Sequence, residues 1–178
     1  MTQPMPVSCT VNGERVDAHV LPRVNLADFL RVHLGLTGTH VGCEHGVCGA
    51  CTIRVDGDIV RACLMLAIQA DGTDVQTIEG LSDSGEVADL QAAFRNRNAL
   101  QCGFCTPGML MAAQDLLAQQ AVPSREEIRE HISGNYCRCT GYHAIVDVSS
   151  GVIFKSNCPP GTLPFLTDEG LSRAAPAG

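Results

Sequence analysis

The chain has 178 residues, enough for one or two small domains with modest cores. Apolar residues make up 45% of it, but aromatics only 4% with no Trp, so bound metal is expected to supply stability that so small a core does not. The 12 Lys and Arg against 19 Asp and Glu give a net charge of −7 without a basic run, which argues against nucleic acid and anionic membrane as partners.

Met1 to Pro6 has neither a basic n-region nor an apolar h-region, so no signal peptide is expected. No apolar run reaches membrane-spanning length, and a cytoplasmic location is expected. Ten Cys without an export signal point to metal rather than disulfides. Val7, Cys9 and Val11 alternate with polar residues, Asn12-Gly13 signals a two-residue hairpin, and Val16, Ala18 and Val20 continue the alternation on a return strand. Cys9 is read as a small core residue on the inward face. Asn25 can cap a helix to about His33, with Leu26, Phe29, Leu30 and Leu34 on its apolar face and Gly35 ending it.

Next comes Cys43-Glu44-His45-Gly46-Val47-Cys48-Gly49-Ala50-Cys51, and then Cys63. The spacing C-x4-C-x2-C-x11-C is the plant-type ferredoxin pattern for four thiolates on a two-iron, two-sulfur cluster. An oxidised cluster of that kind carries about −2 charge, so the loop has to wrap it closely and aim N–H donors at sulfur. Gly42, Gly46 and Gly49 permit that approach, with positive φ where it is needed. Cys43-Glu44-His45 contains C-x-H, but no C-x2-H partner exists for a Rieske centre, so His45 reads as an exposed loop residue. Thr52 to Val55, an Asp56-Gly57-Asp58 turn and Ile59 to Arg61 lead to Cys63, and a short strand around Val75 to Ile78 closes the unit. Strands around one helix with an edge-held cluster make a β-grasp fold.

Glu79 to Gly85 is polar and contains Gly and Ser, and is read as a linker. After it the apolar period changes from two to 3.6. Val87, Leu90 and Phe94 form one helical stripe. Thr106-Pro107 reads as an N-cap and first helical position of a helix to about Gln120, with Met109, Ala112, Ala113 and Leu116 on one side. Ser124 to Glu127 is a capping box for a third helix carrying Ile128 and Ile132, and Tyr142, Ile145 and Val146 suggest a fourth.

This helical unit carries its own thiols. Cys102 and Cys105 form C-x2-C before the second helix, and Cys137 and Cys139 form C-x-C between the third and fourth. In an antiparallel bundle both turns can lie at one end. Zinc would satisfy these four alone, whereas the ferredoxin-type set beside them favours a second two-iron cluster. No G-x-G-x-x-G or phosphate-binding loop is present, so nucleotide binding within the chain is not expected.

The two quartets, in the order C-x4-C-x2-C-x11-C, then Gln-Cys-Gly-Phe-Cys-Thr-Pro-Gly, then Asn-Tyr-Cys-Arg-Cys-Thr-Gly-Tyr, resemble the small iron–sulfur subunit of molybdenum hydroxylases, the xanthine dehydrogenase and aldehyde oxidoreductase family. The resemblance runs from about Val7 to Asp147. The expected chain is α+β, with a β-grasp ferredoxin-like domain over 1–80, a four-helix-bundle domain over 86–150 and, outside the resemblance, an extended or disordered tail over 151–178. The resemblance implies two 2Fe-2S clusters, with a molybdenum–pterin cofactor on a large partner subunit and FAD on a medium one, in a heterotrimer or dimer of heterotrimers. Gln101 matches the residue that hydrogen-bonds the pterin, and Cys139 the ligand closest to it. Electrons would pass singly from molybdenum towards flavin, with no acid or base supplied by this chain. The sequence after Val148 departs from the family pattern and shows no periodicity, and Cys158 within it is read as a spare thiol. A free-standing ferredoxin would explain the first quartet but not the second. A zinc-stapled interaction module would explain the second but not the first.

Overall fold

Asn12 and Gly13, at φ 52° and 83°, close a two-residue turn between β1 (Met5–Val11) and β2 (Glu14–Val20). Left-handed conformations at both positions match the twist of the paired strands. Val11 lies opposite Glu14, and that register buries Val7, Cys9 and Val11. The computed structural model describes residues 3–120 and 122–157. Asn25 caps α1 (Leu26–Asp28) by accepting the Asp28 N–H at 2.8 Å. The helix then widens into a π turn over Phe29–His33, which places Phe29 and Leu30 fully inside.

β3 (Thr52–Val55) and β4 (Asp58–Arg61) form a second tight hairpin through Asp56 and Gly57, at φ 49° and 95°. A 3-10 turn over Ala67–Ala70 leads to β5 (Asp74–Gln76). The five strands lie in the order β2-β1-β5-β3-β4, with β1 and β5 parallel and the other pairs antiparallel. Leu26, Phe29, Leu30, Ile53 and Val75 fill the core against this sheet.

β5 stops at Gln76, and the segment expected as a linker is helical: α2 spans Ile78–Asp83. Its polar composition hides two anchors, because Ile78 and Leu81 are buried in the helical core. The Glu79 carboxylate is engaged as well, accepting from the Gly38 N–H at 2.7 Å and the Thr77 hydroxyl at 2.6 Å. α3 (Ala88–Asn96), α4 (Thr106–Gln119), α5 (Arg125–Ile132) and α6 (His143–Asn157) follow. Val87, Leu90 and Phe94 pack with Met109, Ile128, Ile132 and Ile145 in a second core. Ser124 and Glu127 form the expected reciprocal cap, with bonds of 2.7 and 3.2 Å.

Two boundaries differ from the sequence reading. Cys105, not Thr106, is the cap residue of α4, and the Thr106 hydroxyl is buried without a partner. The Cys105 carbonyl accepts the Met109 N–H at 2.9 Å, so the helix starts one residue before the Thr-Pro signal. α6 runs on through Asn157, into residues expected to be tail. The Ser149 and Ser150 hydroxyls bond back to the Ile145 and Val146 carbonyls at 2.9 Å, so two residues that often break helices are absorbed here. The remainder of the expected tail, with Cys158, lies outside the described residues. Among the described residues no helix is long and apolar enough to cross a membrane.

Candidate metal centres

The first four thiols are brought together by one loop and one hairpin. Thr52 lies opposite Arg61 in the β3–β4 ladder, and the Ala62 N–H bonds to the Cys51 carbonyl at 3.2 Å. Cys51 at the root of β3 and Cys63 just beyond β4 are therefore neighbours, and eleven intervening residues are the length that two four-residue strands and a tight turn require. In the loop, the Cys48 N–H points at the Cys43 sulfur, 3.4 Å away. That amide and the His45 amide draw the Cys43 thiol down to about 6. Burial raises Cys51 to about 11, with Cys63 close against it. Gly46 and Gly49 take φ of 82° and 72°, whereas Gly42 contributes space, since a Cβ there would stand 3.2 Å from the Cys48 sulfur. His45 is exposed, and its Nδ1 bonds to the Cys43 carbonyl.

The second four come from the turn before α4 and the loop before α6. The sulfurs of Cys102 and Cys139 are 3.5 Å apart. Cys105 and Cys137 form the other pair. Burial and the nearby Cys137 push Cys105 up to about 12. Burial also acts on Cys137, but the Thr140 hydroxyl and N–H, 3.0 and 3.4 Å from its sulfur, outweigh it and leave the thiol lowered. The loop is braced from several sides. The Tyr142 hydroxyl accepts the Cys137 N–H at 2.9 Å and donates to the Asn135 carbonyl at 3.3 Å. Gln101 donates to the Cys139 carbonyl at 3.0 Å from an exposed position beside exposed Cys102.

The thiols therefore meet as 43 with 48, 51 with 63, 102 with 139 and 105 with 137. Cys48 adds like-charge repulsion to Cys51, and Cys102 to Cys105, so the two pairs of each quartet adjoin. Among the described residues no three His, Cys, Asp or Glu side chains converge on a single-ion site. A structural zinc needs four ligands on one ion, while a two-iron cluster takes two thiolates on each iron. Paired thiols with N–H groups aimed at sulfur, in a cradle that glycines keep open, fit the cluster better than zinc.

Sequence reasoning missed Arg61, Thr140 and Asn135. Thr140 carried a signal, a hydroxyl just after C-x-C, and so did Asn135, an amide just before it. Tyr142 was read as part of the last helix. It instead precedes α6 at φ 68°, where its hydroxyl can reach back to the loop.

Comparison with known proteins agrees with this geometry. Residues 9–80 match the family model "2Fe-2S iron-sulfur cluster binding domain", and residues 77–149 match "[2Fe-2S] binding domain". The chain is 54% identical over 149 residues to caffeine dehydrogenase subunit gamma of Pseudomonas sp. (strain CBB1), covering 82% of this chain and 89% of that one. It is 53% identical to the nicotine 6-hydroxylase small subunit of Paenarthrobacter nicotinovorans, covering 83% and 92%. The crystal structure of quinoline 2-oxidoreductase from Pseudomonas putida 86 superimposes with a TM-score of 0.82 at 51% identity, covering 87% of this chain and 96% of that one.

Proposed function

The chain belongs to the small iron–sulfur subunits of the molybdenum hydroxylase family, and from that premise we propose which of its residues hold the two clusters and what they face. It is the electron-transfer subunit of a multisubunit oxidoreductase. Cys43, Cys48, Cys51 and Cys63 hold one 2Fe-2S cluster, and Cys102, Cys105, Cys137 and Cys139 hold the other. The observation that carries this is the two-by-two meeting of the thiols. When bound, each cluster supplies a one-electron carrier whose potential is set by hydrogen bonds to sulfur and by burial.

The chain's own contribution is to hold and tune. The Cys48 N–H and Thr140 N–H, each 3.4 Å from a sulfur, stabilise negative charge on the thiolates. Cys51 sits in a buried, low-dielectric setting, whereas Cys102 is exposed. The two sites therefore differ in hydrogen bonding and solvent access, and their potentials differ accordingly.

Two cores support a division into a β-grasp cluster domain over about 1–80 and a four-helix-bundle cluster domain over about 86–150. The large molybdenum–pterin subunit covers the exposed face around Gln101, Cys102 and Cys139, with the Gln101 amide on the pterin. The FAD subunit lies toward the first quartet, in a cytoplasmic heterotrimer or a dimer of heterotrimers. The purified chain is expected to absorb visible light and to carry about four irons and four sulfides. Its reduced form should show two distinct paramagnetic signals. A colourless zinc protein, or full iron with one signal, overturns the assignment.

A further inference from the structure

Asn135 sits between the two quartets, 2% exposed, with every polar group engaged. Its Nδ2 donates to the Gly49 carbonyl at 2.9 Å and the Thr52 hydroxyl at 3.1 Å. Its Oδ1 accepts from Arg61 at 3.3 Å. Its own N–H donates to the Ile132 carbonyl at 2.9 Å, and its carbonyl accepts from Tyr142 at 3.3 Å. Arg61 also reaches the Gly134 carbonyl at 2.9 Å and Thr52 at 2.5 Å. A buried polar network is stable only when it is satisfied throughout, and this one is.

The network joins two loops that belong to different units. One residue beyond Asn135, the Tyr136 N–H donates to the Cys48 carbonyl at 2.8 Å. Cys48 belongs to the first quartet, and Tyr136 is bonded directly to Cys137 of the second. The backbones approach so closely that a Cβ on Gly49 would lie 2.5 Å from the Gly134 carbonyl. A Cβ on Gly108 of α4 would collide with the Gly49 carbonyl.

We propose that Asn135 is a positioning residue that locks the two thiol quartets in fixed register. By holding Gly49 it keeps the Cys48 carbonyl on the Tyr136 amide. One ligand of each quartet is then linked by a run of covalent bonds and a single hydrogen bond. Together with the 2.7 Å bond between His40 Nδ1 and the Phe104 carbonyl, this lock holds the distance and orientation between the two centres. They do not follow from either unit alone, because each core closes without the other. The proposal rests on the cysteine assignment given above.

The test uses the full chain with both clusters loaded and reduced. Wild-type protein showing two cluster signals with a resolved magnetic interaction secures the assignment first, and failure there counts against the cysteines, not the lock. Asn135→Ala and Asn135→Asp both remove the donors to Gly49 and Thr52, and Asn135→Asp retains an acceptor for Arg61. In each, iron content should stay at the wild-type level while the magnetic interaction falls and the Tyr136 amide exchanges roughly tenfold faster. Gly108→Ala lies outside both quartets and tests the same contact from the helix side. Its Cβ would run into the Gly49 carbonyl and force that carbonyl away whatever residue 135 is, so this variant is the reference for a broken contact. Asn135→Ala should weaken the interaction toward that reference, and if the Asn135 variants do not load, Thr52→Val, which removes the hydroxyl that Asn135 and Arg61 share, should do the same. An unchanged interaction and unchanged Tyr136 exchange in the loaded Asn135 variants, or in Thr52→Val where those do not load, would overturn the proposal.

Discussion

The two quartets use opposite strategies to bring four thiols together. In the first, three cysteines fall within nine residues, and the fourth arrives at the end of a tight hairpin. Little beyond the β3–β4 ladder is needed, and the difficulty lies in the backbone, which takes φ of 57° at Glu44, 82° at Gly46 and 72° at Gly49. In the second, Cys105 and Cys137 are separated by all of α4 and α5. Packing across the helical core, with Met109, Ile128, Ile132 and Ile145 at its centre, closes that distance. A local chelate stands or falls with loop conformation, and a distributed one with the core behind it.

The largest expected effects separate the quartets themselves. Cys51→Ser or Cys63→Ser should remove one cluster, about two of about four irons, and leave the helical signal intact. Cys102→Ser or Cys137→Ser should do the converse. Cys9 is as buried as Cys51 but lies in the β1 face of the sheet core, so Cys9→Ala should leave iron content unchanged. Iron and sulfide analysis with low-temperature paramagnetic spectra reads all of these. If Cys51→Ser emptied both sites, the two chelates would not be independent and the contrast would fail.

A smaller effect sharpens the contrast at two glycines with nearly the same conformation. Gly49 in the first loop has φ 72° and Gly103 in the second has φ 80°. A side chain in the left-handed region costs ~1–2 kcal/mol at either. At Gly103 nothing lies within 4 Å of an added Cβ, so Gly103→Ala should cost little more than that. At Gly49 the Cβ would meet the Gly134 carbonyl and Asn135, and forced repacking adds about 1–3 kcal/mol. Thermal melts of the loaded variants should rank Gly49→Ala well below Gly103→Ala. Equal melting temperatures would show that the first loop is not pinned against the helical unit.

The same contrast explains what could be read from the amino acids. Asn12-Gly13, the Ser124 to Glu127 box and the first C-x4-C-x2-C are short-range signals whose partners lie a few residues away. They translate directly into the turn, the cap and the loop. α2 was missed because its helical state depends on Ile78 and Leu81 finding the helical core, and on Glu79 finding an amide at Gly38. α4 starts one residue earlier than the Thr-Pro pair suggests because the Cys105 carbonyl already accepts the Met109 N–H, and the Thr106 hydroxyl caps nothing. The role of Asn135 depends on Gly49 and Thr52, more than 80 positions earlier. Spacing rules reach no such distance.

The smallest effect expected in the isolated chain is at Gln101, and it probes which quartet meets the molybdenum subunit. Among the described residues its amide donates to the Cys139 carbonyl alone, from an exposed position, so Gln101→Ala should cost the chain ~0.5–1.5 kcal/mol at most and leave both clusters assembled. At the first quartet the Gly49 carbonyl is turned inward onto Asn135 and Thr52, and the Cys48 carbonyl onto the Tyr136 N–H. If the second quartet faces the pterin, Gln101 becomes buried in the complex and has an amide with two donors and an acceptor to share. Losing it there leaves a buried polar partner unsatisfied, at ~1–3 kcal/mol, or roughly fivefold to over a hundredfold in an equilibrium or rate. Substrate-driven reduction of the clusters should slow by that factor, or the molybdenum cofactor should be retained less well. Gln101→Glu keeps the length and acceptor but loses the donor, so it should resemble Gln101→Ala if donation to the pterin is what matters. Stopped-flow reduction of the assembled complex, with molybdenum occupancy measured on the same samples, separates slower transfer from lost cofactor. Unchanged rates at full occupancy in both variants would leave Gln101 as a brace for the Cys139 loop and nothing more.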